Sequence, residues 1–157
     1  MKLSDSLNEA LNLQILHELK NVSKYMQINS YFENLQLKKL ASYFHDRSLE
    51  EKSHADKFMQ YINDRTGGSV SIGEVDEPKL MLADPSSVGD AYVKTEEDTT
   101  LSIEAIFDLA LEEKSYIDLG FLQSMLVEQV SEEDEAQEFF MKIKNVKDLV
   151  LFDATFS

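Results

Sequence analysis

The chain contains no cysteine. Disulfides and thiolate metal sites are therefore excluded, and nothing asks for an oxidising compartment. Proline and glycine are scarce, at two and five residues, and they are unevenly placed. Pro78 and Pro85, with Gly67, Gly68 and Gly73, fall between residues 66 and 87, so the chain on either side has few breaks. No apolar run approaches the ~18–20 residues that span a bilayer. The N-terminal MKLSDSLNEALNLQ lacks the continuous apolar stretch and small-residue end of a secretory signal. A cytoplasmic protein with no membrane partner is expected.

Basic residues are outnumbered two to one. Fifteen Lys and Arg against thirty Asp and Glu give a formal charge of −15. Such a molecule repels phosphate backbones, so nucleic acid is not an expected partner, whereas cations are. A length of 157 residues with 43% hydrophobic content suits one domain, 1–157, with a real buried core.

The pattern on both sides of the Pro/Gly-rich stretch is helical. Helices are expected at 4–33, 37–65, 87–114 and 117–145, with a short fifth at 147–155. Gly67-Gly68 should end the second, and Asp84-Pro85-Ser86-Ser87 should cap the third. Short connections make the first and second helices antiparallel, and likewise the third and fourth. The central loop of about twenty residues reaches ~65 Å when extended. A 28-residue helix is only ~42 Å long. The loop can therefore run the length of a bundle, making the second and third helices parallel. The expected fold is all-α: a four-helix bundle with one long crossover and a short C-terminal helix. The alternation at 69–72 could form a short strand within the crossover.

Each apolar stripe is interrupted. The first runs Leu7, Leu11, Ile15, Glu18, Val22, Tyr25, Asn29, Phe32, and the second Leu37, Leu40, Ala41, Phe44, Ser48, Glu51, Ala55, Phe58, Ile62, with His54 beside Glu51. The third runs Tyr92, Glu96, Thr99, Ile103, Ile106, Ala110, and the fourth Leu122, Met125, Leu126, Gln129, Glu132, Ala136, Phe140, Ile143. Carboxylates in a core cost several kcal/mol each unless neutralised. No Lys or Arg lies on these stripes near the interruptions, so metal cations are the expected counter-charge. Glu18 and His54 are equidistant from residue 36, and Glu96 and Glu132 from residue 114, so each antiparallel pair carries its interruptions at one level. That the two pairs are level with each other is required by the site, not given by the sequence.

Glu51-x-x-His54 sets a carboxylate and an imidazole on one helical face. Two such pairs plus two further Glu form the ligand set of carboxylate-bridged di-iron bundles; here the fourth helix offers Gln129-x-x-Glu132 instead. An oxygen-rich set with one nitrogen suits iron or manganese. Tyr25 shares the face of Glu18 and could donate a hydrogen bond or an electron, or could simply be a core tyrosine. His17 and His45 lie off the stripes and are expected at the surface.

These motifs resemble those of bacterial-type non-haem ferritins over nearly the whole chain, 11–152. The segments that carry the resemblance are LNLQILHEL with Glu18, SLEEKSHADKFMQYINDRTGG with Glu51 and His54, YVKTEED with Glu96, and DLGFLQSMLVEQVSEE with Gln129 and Glu132. The resemblance implies a ferroxidase centre at these residues with Tyr25 beside it. It also implies oxidation of ferrous ions by dioxygen or peroxide, and ferric mineral stored inside a homo-oligomeric shell of twenty-four subunits. A third iron site in the family matches Glu50, Glu128, position 131 and Glu132; Ser131 weakens it here. A Trp often found after FLQ is replaced by Ser124, removing any electron-transfer role it has elsewhere. Haem is not expected: the haem-ligating Met of bacterioferritins falls at Lys52, and their fourth-helix Glu-x-x-His is absent. A non-storage di-iron oxidase or peroxide scavenger would use similar chemistry, whereas an assembly subunit with a degenerate centre would keep the fold and lose the ligands. A rubrerythrin-type iron site needs Cys, and a DNA-binding mini-ferritin would want a basic tail.

LEEKSHAD at 49–56 and LEEKSYID at 111–118 share five residues. The first is expected mid-helix with two ligands; the second falls at a turn, far from the interruptions, where Glu113 and Tyr116 make no site.

Overall fold

The computed structural model describes residues 1–156. Its helices are α1 (Asp5–Asn34), α2 (Lys38–Asp64), α3 (Pro85–Glu112), α4 (Tyr116–Lys144) and α5 (Leu149–Ala154). Each long helix begins and ends within a turn of the expected position. Among the described residues no helix is long and apolar enough to cross a membrane.

Both helical hairpins reverse at the residues about which the ligands are symmetric. Gln36 (φ 61) and Lys114 (φ 57) occupy the left-handed region. In the first turn the Leu37 and Gln36 amides donate to Phe32 and Glu33 carbonyls; in the second, Ser115 and Lys114 donate to Ala110 and Leu111. This paired pattern closes a helix C-terminus with one αL residue, a position that glycine fills without a Cβ penalty. Lys114→Gly should therefore raise stability by about 1 kcal/mol, read as a higher denaturant midpoint at unchanged slope.

α3 starts two residues earlier than expected. Asp84 caps it, accepting from the Ser87 amide at 2.8 Å, while Ser87 accepts from the Asp84 amide, and Pro85 supplies the first helical residue. α2 has no capping side chain of its own. Asp153 of α5 supplies one, accepting from the Leu40 amide at 2.8 Å, while Phe152 is buried in the core. The short fifth helix therefore closes the start of α2.

The crossover runs alongside α1 from one end to the other. Ser69 and Ser71 meet Asn8 and Asn12, Asp76 pairs with Lys20 at 3.3 Å, and Leu80 and Leu82 join the core near Tyr31. α2 and α3 are consequently parallel. The alternation at 69–72 does not become a strand; among the described residues the segment has no partner strand. Asn8 and Asn12 side chains bond its backbone instead: Ser69 N–H to Asn8 Oδ1 at 2.9 Å, Asn12 Nδ2 to Ser69 O at 2.8 Å, and Ser71 N–H to Asn12 Oδ1 at 2.6 Å. Four helical residues rise ~6 Å and two extended residues ~6.6 Å, so the two spacings match.

The interior contains two apolar clusters. One gathers Tyr25, Phe32, Phe44, Tyr92 and Phe139, and the other Leu11, Ile15, Phe58, Ile103 and Leu122. Between them lies a buried polar band that includes Gln14, Glu18, Asn21, Glu51, His54, Glu96, Thr99, Gln129 and Glu132. The band is where the candidate centre sits.

Candidate metal centre

The two helix pairs prove to be level. Glu18 from α1 and Glu51 and His54 from α2 each place one ligand atom within 4.8 Å of the others. On the α3–α4 side, the Gln129 amide lies 3.3 Å from Glu96 Oε2, and His54 Nε2 is 3.9 Å from Glu132 Oε1. Side chains from all four long helices therefore converge at one height.

Neutral donors orient the carboxylates. Gln14 donates to Glu18 Oε1 at 2.8 Å, and Asn21 to Glu51 Oε2 at 3.1 Å. The Tyr25 hydroxyl donates to Glu96 Oε1. These bonds fix geometry without supplying positive charge. Glu18 Oε2 and His54 Nδ1 are buried with no hydrogen-bond partner, and their side chains belong to the same tight group. Orphaned buried acceptors of this kind are rare, and a cation between them would satisfy both. The donor set of two carboxylates and one imidazole fits iron or manganese.

Electrostatics point the same way. Burial, joined by the neighbouring carboxylates, pushes Glu18 up to about 7 from 4.5, and Glu96 likewise to about 7. Glu132 rises to about 8 and Glu51 well above the usual carboxylate range, both chiefly by burial. The Glu18 carboxylate beside it adds to the rise of Glu51. Burial lowers His54, which keeps its ring neutral and able to ligate. A metal ion entering here must displace protons.

No Lys or Arg lies on the stripes near these carboxylates, as expected, but one basic side chain reaches Glu132 from off the stripe. Arg47 projects from the flank of α2, with Nη1 3.6 Å from Glu132 Oε2 and Nη2 2.7 Å from Glu50 Oε1; it also pairs with Glu135. Lys57 pairs with Glu128. Glu50, Glu128, Ser131 and Glu132 do line one open cleft of about 330 Å³, adjoining His54, but its carboxylates already have side-chain counter-ions.

A model of the ferritin-like domain matches residues 8–146. The chain belongs to the ferritin family. It is 33% identical over 134 residues to a bacterial non-heme ferritin of Staphylococcus aureus, covering 83% of this chain and 78% of that protein. A bacterial non-heme ferritin of Bacteroides fragilis is 30% identical over 150 residues, 96% of this chain and 94% of the relative. An open-pore ferritin from the archaeon Archaeoglobus fulgidus superposes with a TM-score of 0.93 at 28% identity, covering 98% of this chain and 97% of its own.

Within this ferritin fold the expected residues divide. Glu18, Glu51 and His54 form the tight group; Glu96, Gln129 and Glu132 border it; Glu50 and Glu128 lie in the cleft. Tyr25 is fully buried with its hydroxyl on Glu96, so it is a packed core tyrosine that also touches the centre. His45 is exposed as expected, but His17 is not a surface residue: it is half-buried, 2.9 Å from Thr99 Oγ1, with burial lowering it to about 4. Gln14, Asn21 and Arg47 escape the stripe pattern. Gln14 stands one turn before Glu18 and Asn21 one turn after, which is the available signal for the first two. In the second LEEKS segment, Glu113 does have partners, the Ser4 and Ser6 hydroxyls at the start of α1. They tie helix ends together and are not metal ligands.

Proposed function

We infer that the protein is a cytoplasmic iron-storage ferritin that oxidises ferrous iron. Glu18, Glu51 and His54 take one ferrous ion; Glu51, Glu96 and the Gln129–Glu132 face of α4 serve a second. Two ions held by shared carboxylates can deliver electrons together to one dioxygen or peroxide. Tyr25, bonded to Glu96, adjoins the centre and can donate a proton or an electron there. The observation that carries this reading is the pair of orphaned ligand atoms on Glu18 and His54, in a band of raised-pKa carboxylates between two apolar clusters. No haem is invoked: Lys52, at the position of the haem ligand, is exposed and paired with Asp56.

The storage role and a twenty-four-subunit shell follow the family membership and the ferritin relatives. Ferrous iron added without oxygen and then exposed to air should be oxidised rapidly at about two ions per subunit. Oxidation no faster than in buffer would remove the ferroxidase reading. Gel filtration tests storage separately: a shell should elute near about 430 kDa for subunits of 18.0 kDa, and a stable monomer or dimer would exclude it. At the cleft of Glu50 and Glu128, a third cation should bind weakly, because Ser131 offers only a hydroxyl and Lys57 and Arg47 hold the carboxylates.

A further inference from the structure

The two halves of the centre are unequal. Glu18, Glu51 and His54 converge within 4.8 Å, and among the described residues no Lys or Arg forms an ion pair with them. Glu132, on the other half, lies between the centre and a fixed positive charge. Its Oε1 is 3.9 Å from His54 Nε2, and its Oε2 is 3.6 Å from Arg47 Nη1. The Arg47 side chain is 13% exposed, so this attraction is poorly screened by water.

Arg47 also has somewhere else to go. Its Nη2 holds Glu50 at 2.7 Å, Nη1 pairs with Glu135, and its Cζ sits 5.2 Å over the Tyr43 ring. Of these partners Glu50 and Glu135 line the open cleft. The guanidinium can therefore release Glu132 and remain paired and stacked.

We propose that Arg47 is a built-in counter-cation that competes with a metal ion for Glu132, and thereby sets the affinity of the second cation position. When that position is empty, the Arg47 guanidinium lies against Glu132. When a divalent ion takes Glu132, the guanidinium is left to Glu50 and Glu135. The first position responds less to Arg47, because none of its ligand side chains pairs with the guanidinium, whose charge reaches only His54, and through space. Arg47 thus acts through Glu132 as a positioning residue. The inference rests on the metal-centre reading above.

The test is anaerobic calorimetric titration with Zn²⁺, which cannot be oxidised, using Glu51→Ala to subtract binding at the acidic surface. The wild type should bind two interior ions per subunit, the second at least about tenfold more weakly. Arg47→Gln should tighten the second ion by about tenfold and leave the first within about twofold. Arg47→Lys keeps the charge and should keep the second ion weak. Glu135→Gln removes an outer partner, leaves the guanidinium on Glu132, and should weaken the second ion further; this variant decides the matter if Arg47→Gln does not fold. An unchanged second affinity in Arg47→Gln and Glu135→Gln, or equal changes for both ions, would overturn the role of Arg47 while sparing the centre. A wild type that binds no interior Zn²⁺ would overturn both.

Discussion

Replacing Glu51 by Gln should cut ferrous oxidation at least about a hundredfold and, in the metal-free protein at pH 8, raise stability. The two effects have one cause. Glu51 is 1% exposed, accepts from Asn21, is raised by burial and by the nearby Glu18 charge, and approaches His54 Nδ1 at 3.8 Å. It is the carboxylate that both proposed ions would share. Removing its charge removes a ligand from each position, a larger loss than the 10–100-fold typical of supporting residues. The same change relieves a buried like-charge cluster. A Gln amide is neutral at every pH, whereas Glu51 is neutral only while it keeps its proton. A gain of roughly 1–2 kcal/mol, or about 4 °C in Tm, is expected. Stopped-flow oxidation and a thermal scan of apo-protein read the two effects separately. Unchanged oxidation would remove Glu51 from the centre, and a destabilised apo-protein would mean that the band is not under charge stress.

That stress was legible in the sequence because carboxylates on apolar stripes break a periodic pattern. Glu18, Glu51, Glu96 and Glu132 each stand where a Leu or Ile would extend the core, and all four are buried. The turns were legible too: the symmetry of Glu18 with His54 and of Glu96 with Glu132 pointed to residues 36 and 114, where the chain adopts positive φ. Length alone settled the crossover, since only a bundle-long loop makes α2 and α3 parallel. What escaped had other physical origins. Arg47 sits off the stripe, and its long side chain reaches Glu132 across α4, which spacing along one helix does not report. Asn21 was hidden by a one-residue rotation of the stripe: Asn21 and Ile28 are buried where Val22 and Asn29 were expected, and Phe139 replaces Phe140. The 69–72 strand failed because alternation specifies an extended chain, not a partner, and here Asn8 and Asn12 side chains supplied the ladder bonds.

The metal-free protein should lose thermal stability as pH rises from 6.5 to 8.5. Glu18 and Glu96, held at about 7, and Glu132, at about 8, keep protons in the folded state that an unfolded chain with carboxyls near 4.5 has already released. The folded state therefore binds more protons, and stability falls with pH until these groups have ionised. Their contribution is whole below pH 4.5 and disappears through 7 to 8. His17 and His54, both lowered by burial, act in the opposite direction, but only below about 6.5, where unfolded imidazoles take up protons. The window from 6.5 to 8.5 isolates the carboxyls. Their summed effect is roughly 2–3 kcal/mol, with Glu132 discounted for its opening to the cleft, or of order 8 °C in Tm. A divalent ion binds the ionised carboxylates, so its stabilisation should grow over the same window and flatten the profile. Differential scanning calorimetry at three pH values, with and without Zn²⁺, checks this directly. An apo-protein whose Tm is flat or rising from 6.5 to 8.5 would mean that the four carboxylates are already neutralised within the chain, and the case for cations in the polar band would lose its electrostatic basis.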